Sequence, residues 1–139
     1  MSSNMDFNQT VINEFRTNNG VVTAMGGMPM VLLTTKGAKS GKSRINPLAF
    51  FMDGDRWVVI ASKGGHPSHP DWYYNLLANP IVDLELAGGE HVTVRATPIT
   101  EGPERDRLYA KMVSINPGFA DYERKTTRKI PVVVLERVK

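Results

Sequence analysis

A run of basic, glycine and serine residues in the first third of the chain has the composition of an anion-binding site. The sequence has no acidic residue between positions 15 and 52, yet four cations fall within nine positions there. They are Lys36, Lys39, Lys42 and Arg44. Glycine and serine allow backbone N–H groups to converge on an oxyanion, and the cations add charge. The spacing is not that of a Walker A loop, and we favour an anion site over a solvated basic turn.

A second candidate is the segment ASKGG at residues 61–65, which falls between a predicted strand and a predicted helix. Its two glycines permit a left-handed backbone, and the start of the next helix offers free N–H groups. Lys63 can balance a phosphate or the carbonyl group of a bound heterocyclic ring. The alternative is a plain turn before a helix, because Gly-Gly pairs are common in turns.

Three aromatic residues lie where they can form the wall of a small-molecule pocket. Trp72 opens a predicted helix just after the second candidate site, and Phe119 and Tyr122 follow the helix-breaking sequence Asn-Pro-Gly. The alternative for each is packing in the hydrophobic core, where aromatic side chains are common. Residue types alone do not separate the two interpretations.

The residues that perform most enzymatic chemistry are scarce in this sequence. The chain has no cysteine, which excludes disulfides and thiol nucleophiles, and only three histidines. A zinc site formed by His66, His69 and Asp71 would have no second ligand cluster, and no nucleophile-elbow motif supports a Ser-His-Asp triad. An anion site with aromatic walls and no nucleophile is typical of a protein whose bound cofactor does the chemistry.

The hydrophobic pattern predicts three helices and six strands that would position these residues. Helices are expected at 7–18, 70–77 and 103–115, and strands at 29–35, 44–52, 56–62, 81–87, 91–99 and 130–136. Most strands follow one another as hairpins, so the sheet should be largely antiparallel and close on itself as a barrel. The sequence therefore predicts an α+β fold.

The 139 residues are expected to form a single domain, with residues 1–6 disordered. The helix at 7–18 is amphipathic, and we expect it to pack on the barrel; the alternatives are a lid or a peripheral membrane contact.

No apolar run approaches 18 residues and no leader is evident, so a cytoplasmic protein is expected, with peripheral contact at the inner face of the membrane as the alternative. The net charge of +3 does not indicate nucleic acid. The oligomeric state is not set by the sequence.

Three long motifs resemble the deazaflavin-dependent nitroreductase family. They are LLTTKGAKSGKSRINPL, ASKGGHPSHPDWYYNLLANP and INPGFADYERKTTRKIPVVVLE, which together span nearly the whole chain. The resemblance implies a split β-barrel related to the barrels that bind flavin mononucleotide (FMN). It also implies coenzyme F420, a deazaflavin with a phosphate and an oligoglutamate tail, whose reduced form donates hydride.

The resemblance also assigns residues to the cofactor. Those that match positions holding the phosphate and tail are Lys39, Ser40, Gly41 and Arg44. Those that match positions beside the deazaflavin ring are Ser62, Lys63, Gly64, Gly65 and Trp72. Pro47 matches a further cofactor-binding position.

On the substrate side, the resemblance implies a small apolar acceptor such as a quinone, an enone, a coumarin-type lactone or, in some members, a bicyclic nitroimidazole. The matching wall positions are Ala49, Asn116, Phe119 and Tyr122. A family member that reduces nitroimidazoles has tyrosines in this wall, so we expect nitroimidazoles to be the poorer substrates. Tyr122, Ser62 or water is the expected proton donor.

Three other functions remain open at this stage. An FMN-dependent oxidoreductase of the same barrel fold would use a similar anion site. A deazaflavin-binding protein without catalytic activity would need the same cofactor contacts. A nucleic-acid-binding module fits the basic hairpin, but no ribonucleoprotein or helix-turn-helix pattern accompanies it.

Overall fold

The computed structural model describes residues 3–22 and 28–138, with side chains from residue 7 onward. The described ranges hold four helices, seven strands and a short 3-10 turn at Lys63–Gly65. The helices are α1 (Ser3–Thr17), α2 (Asp71–Ala78), α3 (Pro103–Ile115) and α4 (Gly118–Lys125). The strands are β1 (Met30–Lys36), β2 (Ser43–Ala49), β3 (Phe51–Asp53), β4 (Arg56–Ile60), β5 (Ile81–Glu85), β6 (His91–Ile99) and β7 (Val132–Arg137).

The seven strands form one sheet in the order β2-β1-β5-β6-β7-β4-β3, and every neighbouring pair is antiparallel. The longest ladder joins β1 to β2 from Met30 opposite Ala49 to Lys36 opposite Ser43. Strand β2 also contacts β4, close to the other edge of the sheet, so the sheet curls into an open half-barrel. The predicted antiparallel barrel is therefore confirmed.

Alternating side chains give the sheet two buried faces. On β4, Trp57 and Val59 belong to the cluster inside the curl, where α2 also packs. Val58 and Ile60 point to the opposite face, where α3 and α4 cover them. Because a strand directs successive side chains to opposite faces, this continuously apolar strand is buried on both sides. The arrangement places α2 and α4 next to the end of β4.

The N-terminal helix packs on the sheet, as its amphipathic pattern predicts. Val11, Ile12 and Phe15 are buried in a cluster with residues of β1. Arg16 adds a two-pronged ion pair to Glu85 on β5, with N···O distances of 2.8 and 3.1 Å. Within the described residues, no helix combines the length and the apolar character that a membrane span requires.

Three elements differ from the sequence prediction. The strand predicted at 44–52 is divided at Phe50, whose N–H donates to the Pro29 carbonyl at 3.2 Å. Residues 118–125, predicted as a loop, form α4. Pro117 has helical backbone angles and begins this helix, a place where proline loses no helical hydrogen bond. Helix α1 already includes residues 3–6, which the sequence predicted to be disordered; residues 1 and 2 lie outside the described ranges.

Candidate functional site

A cleft of about 450 Å³ opens between β2, the end of β4, the start of α2 and helix α4. We call it the central cleft. Eight of the residues predicted from the sequence line it, and they come from β2, the turn after β4, α2 and α4. They are Pro47, Ala49, Ser62, Lys63, Gly64, Trp72, Phe119 and Tyr122.

The turn at residues 62–65 has the backbone order of an anion-binding nest. Ser62 is right-handed helical, with φ −81° and ψ −37°. Lys63, Gly64 and Gly65 then have φ values of 46°, 62° and 85°. A right-handed residue followed by a left-handed one directs successive N–H groups into one concavity. A lysine in the left-handed region is uncommon, and such positions cluster at functional sites.

Gly65 serves the packing of this turn and is absent from the lining of the central cleft. A Cβ added to it would lie 2.9 Å from the Tyr122 carbonyl oxygen and 2.8 Å from the Cβ of Lys125. Only glycine lets helix α4 approach the turn this closely. The contact of Gly65 with the cofactor stays a prediction, and the structure gives a separate packing reason for the glycine.

Arg128 binds the backbone of the same turn, and no pattern in the sequence had indicated this residue. Its guanidinium donates to the carbonyl groups of Ala61, Ser62 and His66. It also lies 2.9 Å from Nδ1 of His69. Burial, followed by the charge of Arg128, lowers the pKa of His69, so the imidazole is neutral and accepts this hydrogen bond. Arg128 lies 66 positions after Ser62 in the chain, so no local motif links the two residues.

A second cleft, of about 570 Å³, lies between the β1–β2 turn and α2; we call it the hairpin cleft. Lys39, Ser40 and Arg44 line it, as predicted. In the described part of the chain, no carboxylate lies within ion-pair distance of Lys39 or Arg44. Asp71 lines both clefts, so the two adjoin.

Glycines shape the backbone of the turn, and Gly37 also lines the hairpin cleft. Gly41 has φ 71°, and its N–H donates to the Gly37 carbonyl at 3.0 Å. A Cβ on Gly37 would lie 2.5 Å from the Ser40 hydroxyl oxygen. Gly41 is absent from the lining of the hairpin cleft, so the structure gives it a role in shaping the turn where the sequence predicted a cofactor contact.

Asn75 connects α2 to the hairpin, a role that residue spacing did not reveal. Its Oδ1 accepts from the Ala38 N–H at 3.0 Å, and its Nδ2 donates to the Thr35 hydroxyl at 3.1 Å. The side chain is 7% exposed. A buried amide with both ends bonded fixes the position of the turn relative to the helix.

Helix α4 supplies the aromatic wall of the central cleft. The rings of Phe119 and Tyr122 lie one helical turn apart, 5.1 Å between centroids and edge to face. Tyr109 on α3 donates its hydroxyl to the Phe119 carbonyl at 2.6 Å. Burial raises the pKa of Tyr109, so its phenol stays protonated and keeps α4 in place.

Asn116 is absent from the lining of the central cleft, and its contact with the substrate stays a prediction. Its Oδ1 accepts from the Gly118 N–H at 3.0 Å, and its Nδ2 lies 3.3 Å from the sulfur of Met28. These contacts turn the chain from α3 into α4. Asparagine is common in such turns because its side chain bonds to backbone two residues ahead.

The charge pattern of the two clefts fits an elongated anion with a flat ring at one end. The hairpin cleft offers cations without carboxylate partners, and the central cleft offers the nest and the aromatic wall. This donor set matches a deazaflavin with a phosphorylated tail. Among the described residues, no group of three or more histidine, aspartate or glutamate side chains is placed to hold a metal ion.

Sequence comparison agrees with this geometry. The family model for F420H2-dependent quinone reductases matches residues 8–137. A F420H2-dependent quinone reductase from Mycobacterium tuberculosis is 40% identical over 114 residues, which cover 81% of this chain and 76% of the relative. A putative F420H2-dependent quinone reductase from the same organism is 34% identical, with 78% of this chain and 89% of the relative covered.

Comparison with solved structures gives the same class of protein. A structure of an F420-H2 dependent reductase is 41% identical, with a TM-score of 0.69, and covers 78% of this chain and 94% of its own. The heme storage protein HutZ of Vibrio cholerae, 14% identical with a TM-score of 0.61, covers 92% of this chain and 88% of its own and shares the fold alone. The fold is therefore that of the split-barrel, FMN-binding-like proteins.

The chain belongs to the F420H2-dependent quinone reductase family. This confirms the resemblance found in the three sequence motifs, and with it the expectation of an F420-dependent reductase. The family takes its name from quinones, which are one of the acceptor classes that the motifs implied.

Proposed function

We propose that this protein transfers hydride from reduced coenzyme F420 to a quinone, and that enones and coumarin-type lactones also serve as acceptors. The observation that carries the proposal is the pair of adjoining clefts. One contains cations without carboxylate partners, and the other contains a nest-like turn facing an aromatic wall. When bound, the reduced coenzyme supplies the hydride; the protein binds, orients and shields the reactants.

Each cleft has its own part in binding. In the hairpin cleft, Lys39, Ser40 and Arg44 would hold the phosphate and the anionic tail by charge-assisted hydrogen bonds. In the central cleft, the turn at 62–64 would meet the polar edge of the ring, with Pro47 and Trp72 at its sides. Two separate anchor points would fix the ring in one orientation, which is a large part of catalysis when hydride must travel along a defined line.

The acceptor would lie against Ala49, Phe119 and Tyr122 in the remainder of the central cleft. These side chains would exclude water and hold a flat, apolar molecule parallel to the ring. Negative charge that develops on the acceptor needs a proton, and the Tyr122 and Ser62 hydroxyls line the same cleft. We assign Tyr122 as the first candidate donor and Ser62 as the second, with water as the alternative.

The part of the lining that Ala49, Phe119 and Tyr122 form contains one phenol, from Tyr122, and is otherwise apolar. Such a surface separates similar ring systems weakly, about 1–3 kcal/mol per methylene group, so several related acceptors should react. It offers little to orient a nitro group. Bicyclic nitroimidazoles should therefore be poor substrates.

Two assays test the proposal. In the first, the protein is titrated with F420 and with FMN, because FMN binders share the fold; we expect clearly tighter binding of F420. In the second, oxidation of F420H2 is followed with a soluble quinone, an enone-type lactone and a bicyclic nitroimidazole. Equal affinity for FMN would favour a flavin enzyme. Tight F420 binding without turnover of any acceptor would indicate a binding protein, and a preference for the nitroimidazole would contradict the assignment of the wall.

We further propose that the protein works in the cytoplasm, with peripheral membrane contact as a secondary possibility to be tested. Of the α1 side chains that the structure describes, Phe7 is the large apolar one left exposed, at 49%. Sedimentation with anionic lipid vesicles, with the Phe7→Ser variant as the comparison, tests that contact.

A neighbour 36% identical, with a TM-score of 0.71, is described as a domain-swapped dimer, and it covers 96% of this chain and 100% of its own. Sizing chromatography would show whether this chain dimerises.

A further inference from the structure

The guanidinium of Arg128 fixes both ends of the turn that lines the central cleft. Nη2 donates to the Ser62 carbonyl at 2.7 Å and Nη1 to the Ala61 carbonyl at 3.2 Å, on the side where the turn begins. Nε donates to the His66 carbonyl at 2.8 Å, on the side where it ends. Arg128 itself lies on the segment between α4 and β7 and is absent from the lining of both clefts.

The turn needs such support because its conformation is costly. Lys63 has φ 46°, a left-handed backbone that a non-glycine residue adopts only when the surroundings impose it. The rigid, planar guanidinium of Arg128 binds carbonyl groups both before and after Lys63 in the chain. The close packing of Tyr122 on Gly65 holds the turn from the other side.

The direction of these carbonyl groups determines the direction of two N–H groups. In a trans peptide unit, the N–H points opposite to the C=O. The Ala61 carbonyl shares its peptide unit with the Ser62 N–H, and the Ser62 carbonyl shares its unit with the Lys63 N–H. Because Arg128 binds both carbonyls, both N–H groups point away from it. The positive charge of Arg128 beside the two carbonyl groups also makes these N–H groups stronger donors, since linked hydrogen bonds polarise one another.

We propose that Arg128 is a positioning residue for the coenzyme, which aims the Ser62 and Lys63 N–H groups at an electron-rich edge of the bound ring. The inference rests on the proposed function, because it takes the central cleft as the place of the ring. Arg128 does not touch the coenzyme. It acts through the backbone of the turn.

Three variants test this role. Arg128→Gln removes the forked donor, and Arg128→Lys keeps the charge but loses the fork. Arg105→Gln is the matched control: Arg105, which is buried where Arg128 is half-buried, also donates to a backbone carbonyl, that of Ile130, and donates to a carboxylate on α4, that of Glu123. It makes no described bond to residues 61–66. For each variant, we would measure the Kd of oxidised F420 by fluorescence, the absorption maximum of the bound coenzyme, and the Tm.

We expect Arg128→Gln to weaken F420 binding at least about tenfold, the loss typical of one hydrogen bond to a charged group. The absorption maximum of the bound coenzyme should move toward that of the free coenzyme, because the ring loses two donors. Arg128→Lys should fall between wild type and Arg128→Gln. Arg105→Gln should lower the Tm but leave Kd within about twofold and the absorption maximum in place.

Two outcomes would overturn the inference. One is wild-type Kd and an unchanged absorption maximum in both Arg128 variants. The other is a loss of affinity that follows the loss of Tm equally in all three variants, which would show a structural role only. Should Arg128→Gln fail to fold, Arg128→Lys decides the question by the same two readouts. Absence of F420 binding by the wild type would instead overturn the proposed function, and this distinguishes the two failures.

Discussion

The side-chain amide of Asn75 on α2 accepts a hydrogen bond from the backbone N–H of Ala38, at 3.0 Å. Ala38 directly precedes Lys39 in the hairpin turn, so a single contact connects the helix that borders both clefts to the segment that carries the cations. The hairpin cleft keeps its shape because this amide is buried and bonded at both ends.

Replacement of Asn75 should therefore reduce both stability and coenzyme affinity. Asn75→Leu keeps the branching and the number of side-chain heavy atoms but leaves the Ala38 N–H without its acceptor, at a cost of about 1–3 kcal/mol. We expect a lower midpoint in urea unfolding and a higher KM for F420H2. Asn75→Asp keeps an acceptor for Ala38 and should lose less stability, whereas its added negative charge in the hairpin cleft should still raise the KM. Equal losses of stability in the two variants would show that the Ala38 contact is not the cause.

The cations of the hairpin should act on coenzyme binding and not on the chemical step. Lys39→Ala and Arg44→Ala should each weaken F420 binding by about 1.5 kcal/mol or more, the range for hydrogen bonds to charged groups. The loss should appear in KM with kcat little changed, because these contacts are the same in the ground state and the transition state. Wild-type affinity should also fall as salt rises, and less so in the variants. Arg124→Ala, on the exposed side of α4, is the control; unchanged KM in both hairpin variants would make the hairpin a solvated turn.

The Tyr122 hydroxyl is tested by a substitution that keeps the ring. Tyr122→Phe preserves the edge-to-face contact with Phe119, so the wall and the coenzyme Kd should not change. If the phenol donates the proton, kcat should fall by about 10²–10⁴-fold, the usual contribution of general acid catalysis. Ser62→Ala, measured alongside, separates the two candidate donors. Full activity in both variants would assign the proton to water.

The ion pair between Arg16 on α1 and Glu85 on β5 should make the stability of the protein depend on pH in the acid range. The hydrogen bond from Arg16 holds the pKa of Glu85 below its usual value of 4.5. A depressed folded-state pKa contributes stability at pH values above the unfolded pKa, and that stability is lost as the pH falls through the folded-state pKa. Wild type should therefore lose more Tm than Glu85→Gln between about pH 5 and pH 3. The exposed Glu101→Gln should follow the wild-type curve, and parallel curves for wild type and Glu85→Gln would contradict the assignment.

The sequence was sufficient for most of the fold and for the chemical character of the site. Strand and helix periods depend on local residue order, so β1, β4, β6 and α3 lie close to their predicted ranges. The three motifs carried the family, and eight predicted residues meet in the central cleft. The strand predicted at 44–52 was only partly right, because the break at Phe50 depends on the distant Pro29 carbonyl.

The tertiary structure alone decided which residues support the site and which contact its open space. Gly65 and Asn116 lie inside the correct motifs, but their roles come from close contacts with α4 and with the start of that helix. Arg128 and Asn75 reach across 66 and 37 positions to Ser62 and Ala38. Such contacts depend on how the sheet curls and on which helix packs against which turn. Local residue patterns determine the elements and the charge of the turns, whereas only packing determines which side chain fixes a turn in place.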